Sequence, residues 1–293
     1  MNIHSMSISI PAQPGTLLCN AACPFCISRL TGSAQKWHTG LINWTTRFER
    51  ACAFCKSNGV NTLMITGKGE PFINLEDTAT ACSIGSDFFS IIEVQTNGSL
   101  CTEQTMARLM HRGLTTLAVS ISHPDPEENA RLIHLPKPVD LQKIAYHAYH
   151  LGLVVRLSYN LSKAWNGKGK TTLDWIKEIL NNRDQLVHQF TFRIIDLPPL
   201  HMREEHQNII SWIQENRLPD EELEEIHNYI RKSGTFIRSL NWGASIYDVN
   251  GFSVAIVECL QKPTGRDDDI RSVIFMPDGH VYSSWELTGS ILM

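Results

Sequence analysis

The sequence predicts an α/β protein in which six β–α units form a parallel sheet, curved or partly closed like a partial TIM barrel, with a β-rich C-terminal extension. Short apolar runs rich in β-branched residues alternate with longer segments of helical periodicity. The strand candidates are continuous apolar runs, which are typical of parallel strands covered by helices on both faces. From about Thr235 the helical periodicity stops, and short alternating segments separated by turn residues begin.

The predicted core alternates strands and helices in chain order up to residue 234. The strand candidates are 16–18, 62–66, 91–95, 116–121, 154–159 and 190–195. The helix candidates are 44–57, 75–84, 102–111, 139–151, 172–180 and 221–232. Asn43, Thr102 and Asp220 supply start signals for three of these helices. We therefore expect residues 1–234 to form a (β/α)6 core.

The C-terminal extension is predicted to span residues 235–293. Its strand candidates are 246–249, 252–257, 273–276 and 281–283. Asn250-Gly251 and Pro277-Asp278-Gly279 separate these segments, and such sequences are typical of tight turns between antiparallel strands. The extension is therefore predicted to consist of short strands joined by turns, whereas the core alternates strands and helices.

The composition is that of a globular protein with a sizeable core. Hydrophobic residues make up 42% of the 293 residues and charged residues 19%, which excludes a disordered or coiled-coil chain. There are 26 Lys and Arg against 30 Asp and Glu, a net charge of −4, so no nucleic-acid partner is expected. No apolar run approaches the roughly 20 residues of a membrane span, and residues 1–14 lack a signal-peptide pattern. We expect a cytoplasmic protein with no membrane partner.

Three cysteines are tightly clustered after the predicted first strand. Cys19, Cys23 and Cys26 form a C-x3-C-x2-C run. Three thiolates at this spacing can hold one cubane iron–sulfur cluster and leave one iron open for another ligand. A structural zinc site completed by His38, Cys52 or Cys55 is the alternative.

The cysteine run resembles the motif of the radical S-adenosylmethionine (radical SAM) superfamily, C-x3-C-x-aromatic-C, with Phe25 in the aromatic place. The second predicted strand ends in Gly67-Lys68-Gly69-Glu70-Pro71, which is similar to the Gly-Gly-Glu-Pro segment of that family with Lys68 inserted. Glycine allows backbone groups to approach a ligand closely. The resemblance implies that this segment and Phe25 bind S-adenosylmethionine (SAM).

Two later strand ends extend the resemblance. Thr96 and Asn97 end the third strand, and Ser120 and Ser122 end the fourth, at places where the family contacts SAM or substrate. All four matches fall at the carboxyl ends of successive strands, where α/β barrels build their active sites. The resemblance implies one [4Fe–4S] cluster held by Cys19, Cys23 and Cys26, with SAM on the open iron. It further implies reduced flavodoxin or ferredoxin as electron donor, and a 5′-deoxyadenosyl radical that abstracts hydrogen from a substrate.

Within the superfamily, the nearest resemblance is to the molybdenum-cofactor GTP 3′,8-cyclase group, carried by 192–199, 155–157 and the hairpin 270–282. That group holds a second cluster with cysteines around this hairpin, where the present sequence has Ser272, Ser283 and Ser284, with only Cys259 upstream. Met64 likewise stands where an arginine that contacts GTP is expected. We therefore expect a relative without the second cluster that does not cyclise GTP.

Four basic residues are candidates for binding a small anionic substrate such as a nucleotide, sugar or amino acid. They are Arg156, Lys168, Lys170 and Arg193. The two lysines lie in 164–171, which resembles a phosphate-binding P-loop except that alanine replaces its first glycine. A ribosomally made peptide is the alternative substrate, and a zinc-stabilised module and a P-loop-like NTPase are more remote alternatives.

Overall fold

The structure is a computed structural model that describes residues 2–10, 18–30, 44–183, 186–198, 206–240, 244–258, 269–285 and 289–293. The strands are β1 Asn2–Ile3, β2 Met6–Ser9, β3 Thr62–Thr66, β4 Ile91–Thr96, β5 Thr116–Ile121, β6 Val154–Leu161, β7 Gln189–Ile194, β8 Thr235–Ser239, β9 Ser245–Val249, β10 Phe252–Glu258, β11 Asp269–Ile270, β12 Val273–Phe275 and β13 Val281–Tyr282. The helices are α1 Ile27–Leu30, α2 Trp44–Ser57, α3 Leu75–Ser86, α4 Glu103–Met110, α5 Pro126–Leu132, α6 Leu141–His150, α7 Thr172–Asn181, α8 Gln207–Asn216 and α9 Asp220–Ser233, with 3-10 turns at Pro71–Asn74 and Lys163–Trp165.

In the described part of the chain, the main sheet has eleven strands in the order β13-β12-β2-β3-β4-β5-β6-β7-β10-β9-β8. The eight strands from β12 to β10 in this order run parallel to one another. β13 at one end of the sheet, and β9 and β8 at the other, pair antiparallel with their neighbours. The sheet does not close into a full barrel. The predicted α/β class with a partly closed parallel core is confirmed.

The C-terminal strands join both edges of the core sheet. β10 pairs in parallel with β7, and β12 pairs in parallel with β2. The strands predicted in this region are all present to within a residue or two. The two segments thus share one sheet, and the boundary at residue 235 stays a prediction.

The predicted first strand was wrong. The first core strand is β2, and Leu18, the one described residue of the predicted segment 16–18, lies in a bend. β2 was overlooked because Ser7 and Ser9 alternate with apolar residues, so the strand has no continuous apolar run. Its Met6 and Ile8 are fully buried, whereas its serines lie on the opposite face.

One face of the core strands packs against the helices. A Cβ on Gly85 of α3 would meet Leu63 and Ile92, so these side chains point to the helices. Met64 and Glu93 lie on the opposite face, which we call the inner face of the sheet. The buried charged residue Glu93 is therefore separated by the sheet from the core that packs against the helices. Among the described segments, no helix combines the length and apolar character needed to cross a membrane.

Phe48 of α2 joins the first helix of the core to a C-terminal strand. Its side chain is fully buried, and its ring lies 5.2 Å from that of Phe275 on β12. We expect Phe48→Ala to lower the free energy of unfolding by about 3–5 kcal/mol in urea denaturation, because it leaves a cavity. Phe236→Ala is the control, since that side chain is 54% exposed. Equal effects of the two substitutions would contradict this packing.

Candidate active site

The three clustered cysteines lie in the segment 18–30, which follows β2 at the carboxyl end of the parallel strands. Cys19, Cys23 and Cys26 are all partly exposed, and their thiols are close enough to interact electrostatically. Burial raises the pKa of Cys23 to about 12, and the neighbouring Cys26 and Cys19 raise it as well. Burial also raises the pKa of Cys19. Because neighbouring thiolates repel one another, the group is suited to a strongly cationic ligand that deprotonates thiols on binding.

Three thiols in one segment are the donor set that an iron–sulfur cluster uses. Within the described ranges, no three His, Cys, Asp or Glu side chains are assembled compactly enough to surround one ion. In a cubane cluster each thiolate ligates a different iron, so the ligands stand farther apart than around zinc. Cys52 and Cys55, two of the three candidates to complete a zinc site, are fully buried in the core on α2. His38 and Cys259 lie outside the described residues.

The segment Gly67–Pro71 approaches the cysteine segment at backbone distance. A Cβ on Gly69 would lie 1.7 Å from the carbonyl oxygen of Leu18, so only glycine fits there. The next residue, Glu70, donates its backbone N–H to that same oxygen at 2.7 Å. On the other side of the cysteines, the Ser28 hydroxyl donates to the carbonyl oxygen of Gly67 at 2.9 Å. The glycine segment is therefore attached to the chain both before Cys19 and after Cys26.

The Glu70 carboxylate is buried and accepts three hydrogen bonds. The donors are the Thr96 hydroxyl at 2.7 Å, the Asn97 backbone N–H at 2.7 Å and the Phe72 backbone N–H at 3.1 Å. Burial raises the pKa of Glu70, although these hydrogen bonds oppose the shift. The carboxylate thereby holds the end of β4 against the turn that begins at Pro71.

Asn20, which lies directly after Cys19, is a site residue that the sequence did not predict. The Asn97 side-chain amide donates to Asn20 Oδ1 at 2.9 Å, and Asn20 Nδ2 donates to Ser99 Oγ at 2.8 Å. The side chain of Asn97, predicted to contact SAM, therefore reaches the cysteine segment. The only sequence signal for Asn20 was its place between two cysteines.

The apolar side of the cysteine segment is covered by α8. Phe25 is 7% exposed, and its ring centroid lies 4.9 Å from that of Trp212. Leu30, Ile195 and Ile213 complete this small core, separate from the main one. The packing keeps water from one side of the cysteines.

Ser120 and Ser122 lie at the carboxyl end of β5, as predicted. Ser120 is half-buried and pairs in register with Ser158 of β6. Ser122 is buried, and its backbone binds the Asn129 side chain at 2.8 Å and Trp165 Nε1 at 2.6 Å. The backbone of Ser122 is thus committed to positioning the strand end.

The inner face carries two arginines in different environments. Arg156 forms an ion pair with the buried Glu93, which also accepts from Gln95 Nε2 at 2.8 Å. The buried Arg156 Nε has no hydrogen-bond partner among the described residues. Arg193 donates through Nε to Ser158 Oγ at 2.7 Å. The charge of Arg156 is therefore balanced within the protein.

Lys168 and Lys170, the two lysines predicted to bind substrate, both form ion pairs with carboxylates. Lys168 and Gly169 have positive φ values of 51° and 76° and form a two-residue turn closed by backbone hydrogen bonds between Gly167 and Lys170. Lys168 binds Asp125 at 2.6 Å. Lys170 pairs with Glu178 and lies over the Trp175 ring. Because the turn uses the N–H groups of Gly167 and Lys170, this arrangement does not favour a phosphate-binding loop.

Lys68 lies beside the cysteines. Burial lowers the pKa of Lys68 to about 8, and the Cys26 thiolate partly opposes that shift. The inserted lysine thus adds a cationic group next to one predicted cluster ligand.

The fold is similar to that of several solved structures. The crystal structure of Streptococcus suis SuiB bound to S-adenosylmethionine matches with a TM-score of 0.63 at 15% identity, over 97% of this chain and 60% of SuiB. SuiB bound to its precursor peptide SuiA matches with a TM-score of 0.61 at 14% identity and the same coverage. Escherichia coli coproporphyrinogen III oxidase (HemN), a radical SAM enzyme, gives 0.43 at 12% identity over 85% of this chain and 65% of HemN.

At such identities the likeness to SuiB establishes the fold. This chain shares the open, parallel-stranded α/β fold of SuiB, in agreement with the predicted fold class. It spans 60% of the length of SuiB. No family model matches the chain, and no curated protein matches it.

Gly69 offers a direct test of this site. We expect Gly69→Ala to abolish most iron binding after anaerobic reconstitution, because its Cβ displaces the Leu18 carbonyl and with it Cys19. Gly167→Ala is the matched control, since a Cβ there meets nothing within 4 Å. Iron and sulfide assays with circular dichroism would measure the effect. Full iron binding by a folded Gly69→Ala variant would show that this close approach does not position the cysteines.

Proposed function

We propose that this chain is a radical SAM enzyme that binds one [4Fe–4S] cluster through Cys19, Cys23 and Cys26, together with SAM. The observation that carries the proposal is the contact of three loops around Cys19, with Glu70 at the centre. The fold shared with SuiB, whose crystal structure contains S-adenosylmethionine, supports it. When bound, the reduced cluster and SAM supply a 5′-deoxyadenosyl radical that abstracts hydrogen from a substrate.

The residues of the chain have distinct roles in this proposal. The backbone of Gly67–Pro71 and the strand ends at Thr96, Asn97, Ser120 and Ser122 form the side of the site assigned to SAM. Phe25 packs against Trp212 and excludes water from the apolar side of the cysteine segment. A reduced flavodoxin or ferredoxin is the proposed electron donor, in the cytoplasm.

The proposed substrate is a small anionic molecule bound at the inner face. Arg193 supports this because it lies on the inner face near the carboxyl end of β7, where its Nε donates a hydrogen bond to Ser158 Oγ. The charge of Arg156 is balanced by Glu93. Lys168 and Lys170 are engaged with carboxylates, so we assign them to the structure of their turn.

A peptide is the second candidate substrate. The fold of this chain matches that of SuiB, which was crystallised with its precursor peptide SuiA. A peptide would enter from the carboxyl ends of the strands, as a small molecule would. The two candidates therefore differ in substrate and share the same proposed radical chemistry.

Formation of 5′-deoxyadenosine tests the proposed function. Anaerobically reconstituted protein, reduced with dithionite in the presence of SAM, is expected to release 5′-deoxyadenosine and methionine, measured by chromatography and mass spectrometry. Cys26→Ala is expected to release at least about 100-fold less, because one iron loses its protein ligand. Absence of 5′-deoxyadenosine from protein with a full cluster would reject the proposal.

The substrate class can be tested without knowing the substrate. A low-molecular-mass cell extract is expected to raise 5′-deoxyadenosine formation above the uncoupled rate, and peptidase treatment of the extract is expected to leave that increase unchanged. Arg193→Gln is expected to reduce the increase about tenfold through loss of one charged hydrogen bond, with the uncoupled rate unchanged. Loss of the increase after peptidase treatment would favour the peptide instead.

A further inference from the structure

Three segments meet in a closed circuit of hydrogen bonds that encloses Cys19. The Leu18 carbonyl oxygen accepts from Glu70 N at 2.7 Å, and the Glu70 carboxylate accepts from Asn97 N at 2.7 Å. The Asn97 side-chain amide then donates to Asn20 Oδ1 at 2.9 Å. Since Leu18 and Asn20 flank Cys19 in the chain, the circuit attaches both neighbours of this cysteine to other loops.

A smaller ring attaches Asn20 to the end of β4. Asn20 Nδ2 donates to Ser99 Oγ at 2.8 Å, and Ser99 Oγ donates to Asn97 Oδ1 at 2.6 Å. Ser99 N also donates to Asn97 Oδ1 at 3.0 Å. With the Asn97-to-Asn20 bond, each of the three side chains both donates and accepts a hydrogen bond within the ring.

The ring specifies asparagine at position 20. The side chain of Asn20 must accept from an amide and donate to a hydroxyl at the same time, which a carboxamide can do and a carboxylate cannot. An aspartate would leave Ser99 without its donor and add a negative charge beside the cluster thiolates. A serine would be too short to reproduce both contacts.

The remaining attachments of the cysteine segment lie farther along the chain. Ala22 donates its backbone N–H to Ile133 O at 2.9 Å, and Ala21 N donates to Cys19 Sγ at 3.4 Å. The Ser28 hydroxyl also joins the segment to the glycine segment by donating to Gly67 O at 2.9 Å. Among the described contacts, the side chain of Asn20 joins the residue after Cys19 to Asn97 and Ser99, just beyond β4.

We propose that Asn20 is a positioning residue for the first cluster ligand. It holds Cys19 in the position set by Glu70 and Asn97, so the cysteine segment and the SAM side of the site form one unit. The inference rests on the proposed function, because that function makes Cys19 a cluster ligand. The hydrogen-bond ring itself can be tested in protein that contains no cluster.

The first experiment measures the alkylation rate of each thiol in cluster-free protein with iodoacetamide and peptide mass spectrometry. Asn20→Ala is expected to speed the alkylation of Cys19 about fivefold, because loss of these hydrogen bonds favours local opening. Cys26, at the far end of the segment, serves as internal reference. Asn58→Ala is the matched control, since that partly buried amide binds Phe54 O on α2, outside the cysteine segment. An unchanged Cys19 rate would overturn the proposal.

The second experiment measures the loaded protein. Asn20→Ala is expected to lose iron to a chelator several-fold faster than wild type, and to show a smaller change in the electron paramagnetic resonance spectrum of the reduced cluster on adding SAM. Ser99→Ala, which leaves residues 18–26 unaltered, is expected to shift both readouts in the same direction. Iron retention and spectra equal to wild type in both variants would overturn the positioning role. A wild-type protein that binds no cluster would instead refute the proposed function, while the alkylation rates still test the ring.

Discussion

The buried carboxylate of Glu70 is the contact on which the site depends. A charged group in the interior is costly unless it is fully hydrogen-bonded, and here Thr96, Asn97 and Phe72 supply the donors. Those donors belong to the end of β4 and to the turn after Glu70, while the Glu70 backbone binds Leu18. Displacing any one of these segments would leave a buried carboxylate or a buried donor unsatisfied. The position of Cys19 is therefore coupled to two strand ends that are distant in the sequence.

The same sheet separates packing from chemistry by alternation along its strands. Side chains such as Leu63 and Ile92 pack against helices, whereas Glu93, Arg156 and Arg193 lie on the inner face. A buried ion pair seldom adds net stability, so the Glu93–Arg156 pair is better understood as setting the charge of the inner face than as holding the fold together.

The parts of the fold that depend on local sequence were predictable. The observed first and last residues of α2 and β3 are the predicted ones, because the residues that flank each element are of types that begin or end helices and strands. β2 was missed because its serines face inward. The ion pair of Lys168 with Asp125 could not be predicted locally because the two residues lie 43 positions apart, and the substrate role of Lys168 stays a prediction. For the site, the cysteine spacing and the Gly67–Pro71 segment are local patterns. Asn20 is recognisable only once the fold brings Asn97, 77 residues away, beside it.

Metal content tests the central claim most directly. Iron, acid-labile sulfide and zinc should be measured after anaerobic purification and reconstitution of the whole chain. The account predicts about four irons and four sulfides per chain, one [4Fe–4S] cluster on three cysteines. About eight irons would mean that other cysteines hold a second cluster. That result would contradict the prediction, made from the C-terminal hairpin, that the chain lacks a second cluster. Stoichiometric zinc with no reconstitutable cluster would contradict the radical SAM assignment itself.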